Sequence, residues 1–316
     1  MSEYCVYFAK INISSNHLLG VLKKEQTIEP ILNELFYSFK SGTIYEEHLP
    51  IPLTEEEIKQ GLSTKYETVQ YKLSIREKKQ LGIEGVVYRT SKLYYNNLVE
   101  GDSLVTSAVK NTDGIRFYFD LYKEYVGFNT KQRFGYQQFV NSFENIINLC
   151  IKNAGKQYKF SVSLYTEGLN LDEIKDELRK IRNIERLDIY VQPPNPDEDT
   201  LSQIESSLGR RLNEFKEANA SSITTTIRAD GKDALKIDSK LIENELELIE
   251  EAHKSVGIKK ATSHGYVKVR AATKSGNTFS TDESRPKVLK SDDVNFVNKV
   301  TSFIARIISN SYEQEW

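Results

Sequence analysis

Three sets of residues in this chain are of a type that could do chemistry, and their spacing decides what each can do. Pro196-Asp197 followed by Glu214-Phe215-Lys216 matches the written form of a metal-dependent nuclease signature. That chemistry needs the Glu and the Lys on a strand, so that both side chains point at one metal beside the Asp. The surrounding apolar spacing (Leu201, Ile204, Leu208, Leu212, Phe215) is helical, and residues two apart on a helix diverge. The match therefore reads as coincidence, and a nuclease built on Asp197, Asp199 and Glu214 stands only as an alternative. The four histidines (His17, His48, His253, His264) show no ligand spacing, and Cys5 and Cys150 have neither zinc nor redox spacing. No Gly-rich phosphate loop is present. The residues predict no catalytic centre, no metal site and no cofactor.

The third set is cationic. Between Glu251 and Lys290 lie nine basic residues, opposed only by Glu251, Asp282 and Glu283. Lys268, Arg270 and Lys274 alternate along a strand-like stretch and the loop after it. With Lys259, Lys260 and the segment carrying Arg228, Lys232 and Lys236, they are expected to form one surface able to hold phosphates. Ser275 and Thr278 could add contacts. The same pattern also suits the solvated face of an antiparallel sheet, or a surface neutralising the acidic helix Glu243–Glu251 of a second subunit.

The elements that must position these residues are legible from periodicity. Tyr4–Ile13 reads as a strand with both faces partly buried, and Asn16–Phe39 carries helical spacing. Thr54 and Glu57 form a capping box. From Glu67 to Phe128 the period is two, predicting consecutive antiparallel strands with turns at Gly82, Gly101-Asp102 and Asp113-Gly114. A helix over Gln137–Lys152, a strand "YKFSVSLY" and a helix capped by Asn170 follow. The strand Leu187–Val191 ends at Pro193-Pro194-Asn195-Pro196-Asp197-Glu198. There the prolines stop the strand, Asn195 suits a helix N-cap, and the acids suit the first helical turn. Then come a strand at Ile223–Arg228, an acidic helix Asp238–Val256, the strand around Val267–Arg270, and a helix starting from a Ser291 cap. The fold class expected is α+β: a mainly antiparallel domain over residues 1–168 and a mixed domain over 169–316, with no linker between them.

Composition sets the outer bounds. The 316 residues are 39% hydrophobic and 28% charged, with 18 Tyr, 14 Phe and a net charge of −2. Nothing global points to a polyanion partner, so such a surface must be local. Two cysteines imply a reducing compartment, and the acidic residue Glu3 with a short apolar run argues against a signal peptide. No apolar stretch nears the roughly 20 residues of a bilayer helix, so a cytoplasmic protein without membrane insertion is expected.

Three stretches, "YFAKINI", "IYVQPPNPDE" and "HGYVKVRAATKSGNTFSTDESRP", resemble in order a poorly characterised family of bacterial defence-associated proteins. That family carries an "ARINI"-like strand, an "RPNPDD"-like corner, an "NGYV"-like strand and a closing run ending in proline. Here Gln192-Pro193 replaces Arg-Pro, and His264 replaces the Asn. The order of elements, with "LDIYV" and "TTIRADGKD", is more distantly similar to the phage-exclusion protein RexA, whose shape is like that of RdgC. The resemblance implies a non-enzymatic, sequence-tolerant DNA-binding homodimer in anti-phage defence, with duplex DNA as partner. It leaves open a regulatory or sensor subunit that binds a second subunit of a defence system and has no DNA affinity.

Overall fold

The computed structural model describes residues 3–53, 55–99, 103–195, 210–231, 233–253 and 256–313. The chain is α+β, built on two antiparallel sheets. The first contains β1 (Tyr4–Ile13), β2 (Ile44–Ile51), β3 (Lys65–Lys79), β4 (Gly82–Val99), β5 (Ser103–Asp120), β6 (Tyr125–Asn129) and β7 (Phe160–Leu164). The second contains β8 (Ile184–Val191), β9 (Ile223–Arg228), β10 (Val267–Thr273) and β11 (Thr278–Ser280), and β12 (Val288–Ser291) then returns to the first. The strand orders are β12-β1-β6-β5-β4-β3-β2, with β7 also on β1, and β11-β10-β8-β9. Among the described residues the helices are α1 (His17–Leu22), α2 (Glu29–Ser38), α3 (Glu55–Lys59), α4 (Tyr136–Asn153), α5 (Leu171–Lys180), α6 (Arg210–Ala218), α7 (Lys240–Ala252), α8 (Ile258–Ser263) and α9 (Phe296–Glu313).

Strand β1 organises the first half because it is buried on both faces, as its sequence implies. Its odd positions Ala9, Ile11 and Ile13 join a core with Phe39, Phe117, Phe139 and Phe143. The rings of that core meet edge-on or offset, Phe117 and Phe143 at 5.1 Å between centroids, the geometry that aromatic quadrupoles favour. The even positions Val6 and Phe8 pack on the opposite side against Phe296, Val300 and Ile304 of α9. Residues 288–313 thus return across the 168/169 division to cover the first sheet. In the second sheet, Leu187, Ile189, Val267, Val269 and Ala271 face Ile174 and Leu178 of α5 and Ile242, Leu246 and Ile249 of α7. One face of that sheet is the core, and on the other the described side chains are exposed or half-buried.

Several expected boundaries move. Asp113-Gly114 is no turn: both residues lie inside the continuous strand β5, paired with Arg89 and Tyr88. A Cβ on Gly114 would lie 3.0 Å from the Tyr88 ring, so the glycine admits a close aromatic neighbour across the ladder. The chain instead turns between β5 and β6. Residues 16–39 form two helices rather than one, and β2 emerges as an unforeseen edge strand. Asn170 does close a capping box with Glu173, accepting from its amide at 2.8 Å. Ser291, however, ends β12, and α9 begins at Phe296.

The cap expected of Asn195 involves residues after it that lie outside the described ones, but the structure adds a second role. Asn195 is 5% exposed, and its side chain bonds β1. Its Nδ2 donates to the Ile11 carbonyl at 2.9 Å and its Oδ1 accepts from the Ile13 amide at 2.9 Å, so the amide acts as a short stand-in for a further strand beside β1. Of the helix expected from Pro196 through Phe215, the part before Arg210 lies outside the described residues, and Arg210–Ala218 is helical. Nearby, the Asn12 side chain donates to the His264 carbonyl at 2.8 Å, and the Gln192 backbone N–H donates to the Tyr266 carbonyl at 2.9 Å. The three stretches singled out in the sequence therefore meet at one buried polar joint between the two sheets. Asn195→Ala leaves a buried amide and a buried carbonyl of β1 without partners, an expected loss of about 2 kcal/mol. Chemical denaturation of the variant checks this, and an unchanged midpoint would deny the joint its structural role.

Candidate nucleic-acid interface

The cationic residues are placed by the pleat of the second sheet. In β8 and β10 successive side chains alternate between the core and solvent, and cross-strand register then lines up the outward ones. Lys268 pairs with Tyr190, Arg270 with Asp188, and Ala272 with Arg186. On the other side Tyr190 pairs with Thr224, Asp188 with Thr226, and Arg186 with Arg228. The solvent face is thus three rows deep and carries Arg186, Arg228, Lys268 and Arg270, with hydroxyls from Thr224 and Thr226 among them.

Two carboxylates organise these cations. Asp188 bonds Arg186 at 2.7 Å and accepts from the Thr226 hydroxyl at 2.7 Å. Desolvation opposes its ionised form, but the bonds from Thr226 and Arg186 and the charge of Arg228 outweigh it and hold the carboxyl below its ordinary value. Asp282, just past β11, bonds Arg270 at 2.7 Å and lies 3.8 Å from Lys268. Among the described residues, four cations on this face stand against two carboxylates, an excess of positive charge. Arg186 and Arg228 lie directly opposite each other, an arrangement that costs energy in a sheet unless an anion bridges it.

Of the residues expected to form one surface, the structure brings together Arg228, Lys268 and Arg270. Lys274 lies just beyond, its ammonium donating to the Gly231 carbonyl at 2.6 Å, which ties the turn after β10 to the segment after β9. Lys236 is exposed farther along that segment. Lys259 is drawn to the helical layer, 3.7 Å from Glu173 in the first turn of α5, and Lys260 is its neighbour on α8. These two do not join the sheet face, because α8 precedes β10 and buries Ile258 and Ala261 in the core behind it. Lys232 lies outside the described residues. Arg186 was missed: its alternation with Leu187, Ile189 and Val191 in "RLDIYV" marks it as outward, and only the pairing with Arg228 shows what it joins.

Glu214-Phe215-Lys216 lies in α6 with Phe215 buried, so the nuclease pattern falls on a helix, while Asp197 and Asp199 lie outside the described residues. Among the described residues no group of three or more His, Cys, Asp or Glu is placed to hold a metal ion. Nor is any described helix long and apolar enough to cross a membrane. Helix α7 buries Ile242, Leu246 and Ile249 and turns Glu247 and Glu250 outward.

The model of one protein family, described as a domain of unknown function (DUF4747), matches residues 88–306. No curated protein matches the chain.

Proposed function

The chain belongs to that family, and from the geometry of its second sheet we propose that it is a non-enzymatic protein that binds duplex DNA through phosphates, with little dependence on sequence. One observation carries the reading: Arg186, Arg228, Lys268 and Arg270 share one exposed face of a rigid sheet. Their carboxylate partners hold the guanidinium groups at the surface, and a phosphate offers the same bidentate geometry in exchange. A flat face with alternating hydroxyls contacts the backbone and not base edges, which is why sequence selectivity is low. The resemblance noted in the sequence extends the proposal to a cytoplasmic homodimer working in defence against phage.

Electrophoretic mobility shifts of unrelated duplexes, with and without Mg²⁺, test this. The expected result is retardation of every duplex at similar protein concentration, with the DNA intact. Metal-dependent cleavage would instead support the nuclease alternative, and no shift at low salt would support a partner-binding subunit.

A further inference from the structure

The outward face of the first sheet bears a second, unassigned surface. Cross-strand register sets Glu46 beside Gln70 and Gln70 beside Thr90, and sets Lys72 beside Tyr88. Farther out on the β4–β5 ribbon, Lys92 pairs directly with Lys110 and Tyr94 with Ala108. All of these side chains alternate with the core positions Val69, Tyr71, Leu73 and Val87, so they share one face. Tyr66, Tyr88 and Tyr94 are 58%, 38% and 47% exposed there.

Three features of this face point to one ligand chemistry. Lys72, Lys92 and Lys110 make no side-chain hydrogen bond or ion pair with any described residue, unlike Arg186, Lys268 and Arg270 on the second sheet. Among the described residues the carboxylates near them are Glu46 on the face and Glu67, which accepts from the Lys92 backbone amide at 2.7 Å. The Lys92–Lys110 pair sets like charges directly opposite in a ladder, which is destabilising until an anion bridges them. Between Lys92, Lys110 and Gln70 the β2–β3 and β4–β5 hairpins splay apart, leaving a depression of about 330 Å³. Finally, exposed tyrosines interleaved with cations on a pleated sheet are what unpaired bases stack upon, whereas a duplex hides its base faces.

We propose that this face binds single-stranded nucleic acid, with bases stacked on Tyr88 and Tyr94 and phosphates held by Lys72, Lys92 and Lys110. The inference does not rest on duplex binding by the second sheet, since the two faces share no residue.

The test is fluorescence anisotropy of a labelled 20-nucleotide oligothymidine and of a labelled duplex against wild type, Lys92→Glu and Tyr94→Ala. Lys92→Glu converts a repulsive cross-strand pair into an attractive one, so its melting temperature should hold or rise. Its affinity for the oligonucleotide should nevertheless fall about 10-fold, as should that of Tyr94→Ala, with duplex affinity unchanged. Wild-type affinity in both variants would overturn the proposal. So would an equal loss for single strand and duplex, or loss of oligonucleotide binding on reversing Arg228 instead.

Discussion

Gly265→Ala is expected to destabilise the protein by about 4 kcal/mol, the sum of a strained backbone and an overpacked contact. Gly265 has φ of +74°, in the left-handed region that side chains with a Cβ seldom adopt. A Cβ there would also lie 2.1 Å from the Ser163 hydroxyl and 2.3 Å from its Cβ. Ser163 belongs to β7 and is 4% exposed, so it has nowhere to withdraw. The glycine is where the chain entering β10 passes directly over the first sheet, between the His264 and Tyr266 contacts that fasten the two halves. Urea denaturation of the purified variant reads the loss, and Ser163→Gly in the same chain should recover part of it. Near-wild-type stability of Gly265→Ala would show that the halves are not held by this close approach.

The second large effect is expected from pH. His253 is 1% exposed, with Nε2 3.0 Å from the Gln192 carbonyl. Burial holds its pKa down at about 4 against an ordinary 6.5, although the carbonyls of Gln192 and Ile249 pull the other way. His264 is lowered well below 6.5 too, by burial first and then by the charges of Lys10, Lys260 and Lys287. Its Nε2 lies 2.5 Å from the Tyr125 hydroxyl. In the unfolded chain both histidines take up a proton below about 6.5, while in the folded chain they stay neutral. Between those two limits the unfolded state binds more protons, so stability rises with pH and is lost as pH falls. The loss begins near 6.5 and is complete for His253 near 4, about 3 kcal/mol from that residue alone. Denaturation midpoints at pH 7.5, 6 and 5 should fall in order, and His253→Gln should flatten the trend. A wild type equally stable at all three values would contradict neutral burial of these rings.

Much of the fold was legible because alternation and helical spacing are local. The double burial of Tyr4–Ile13, the capping box at Asn170 and the outward set of Val267–Thr273 all follow from residues within a few positions of each other. What periodicity does not carry is register and return. Gly114 reads as a turn residue until Tyr88 is known to lie across from it. The bonds of Asn195 to Ile11 and Ile13 stay hidden until β1 is known to pass beside it, and β12 with α9 read as part of the second half until they close on β1. The same limit governs the interface. Lys268 and Arg270 were evident from alternation, but Arg186 becomes part of the face only through its pairing with Arg228. Lys259 leaves it through Glu173, a partner more than eighty positions away. The lysines of the β4–β5 ribbon escaped notice because no two of them are close in sequence.

The central claim, that the second sheet holds duplex DNA by its phosphates, is tested most directly by salt. Anisotropy of a labelled duplex of about 30 base pairs should give log affinity falling linearly with log salt, with a slope of several units. Arg228→Glu/Arg270→Glu should weaken binding to every duplex alike and reduce that slope by about two, one for each lost phosphate contact. Flat anisotropy at the lowest salt, or a double variant that keeps the wild-type slope, would contradict it.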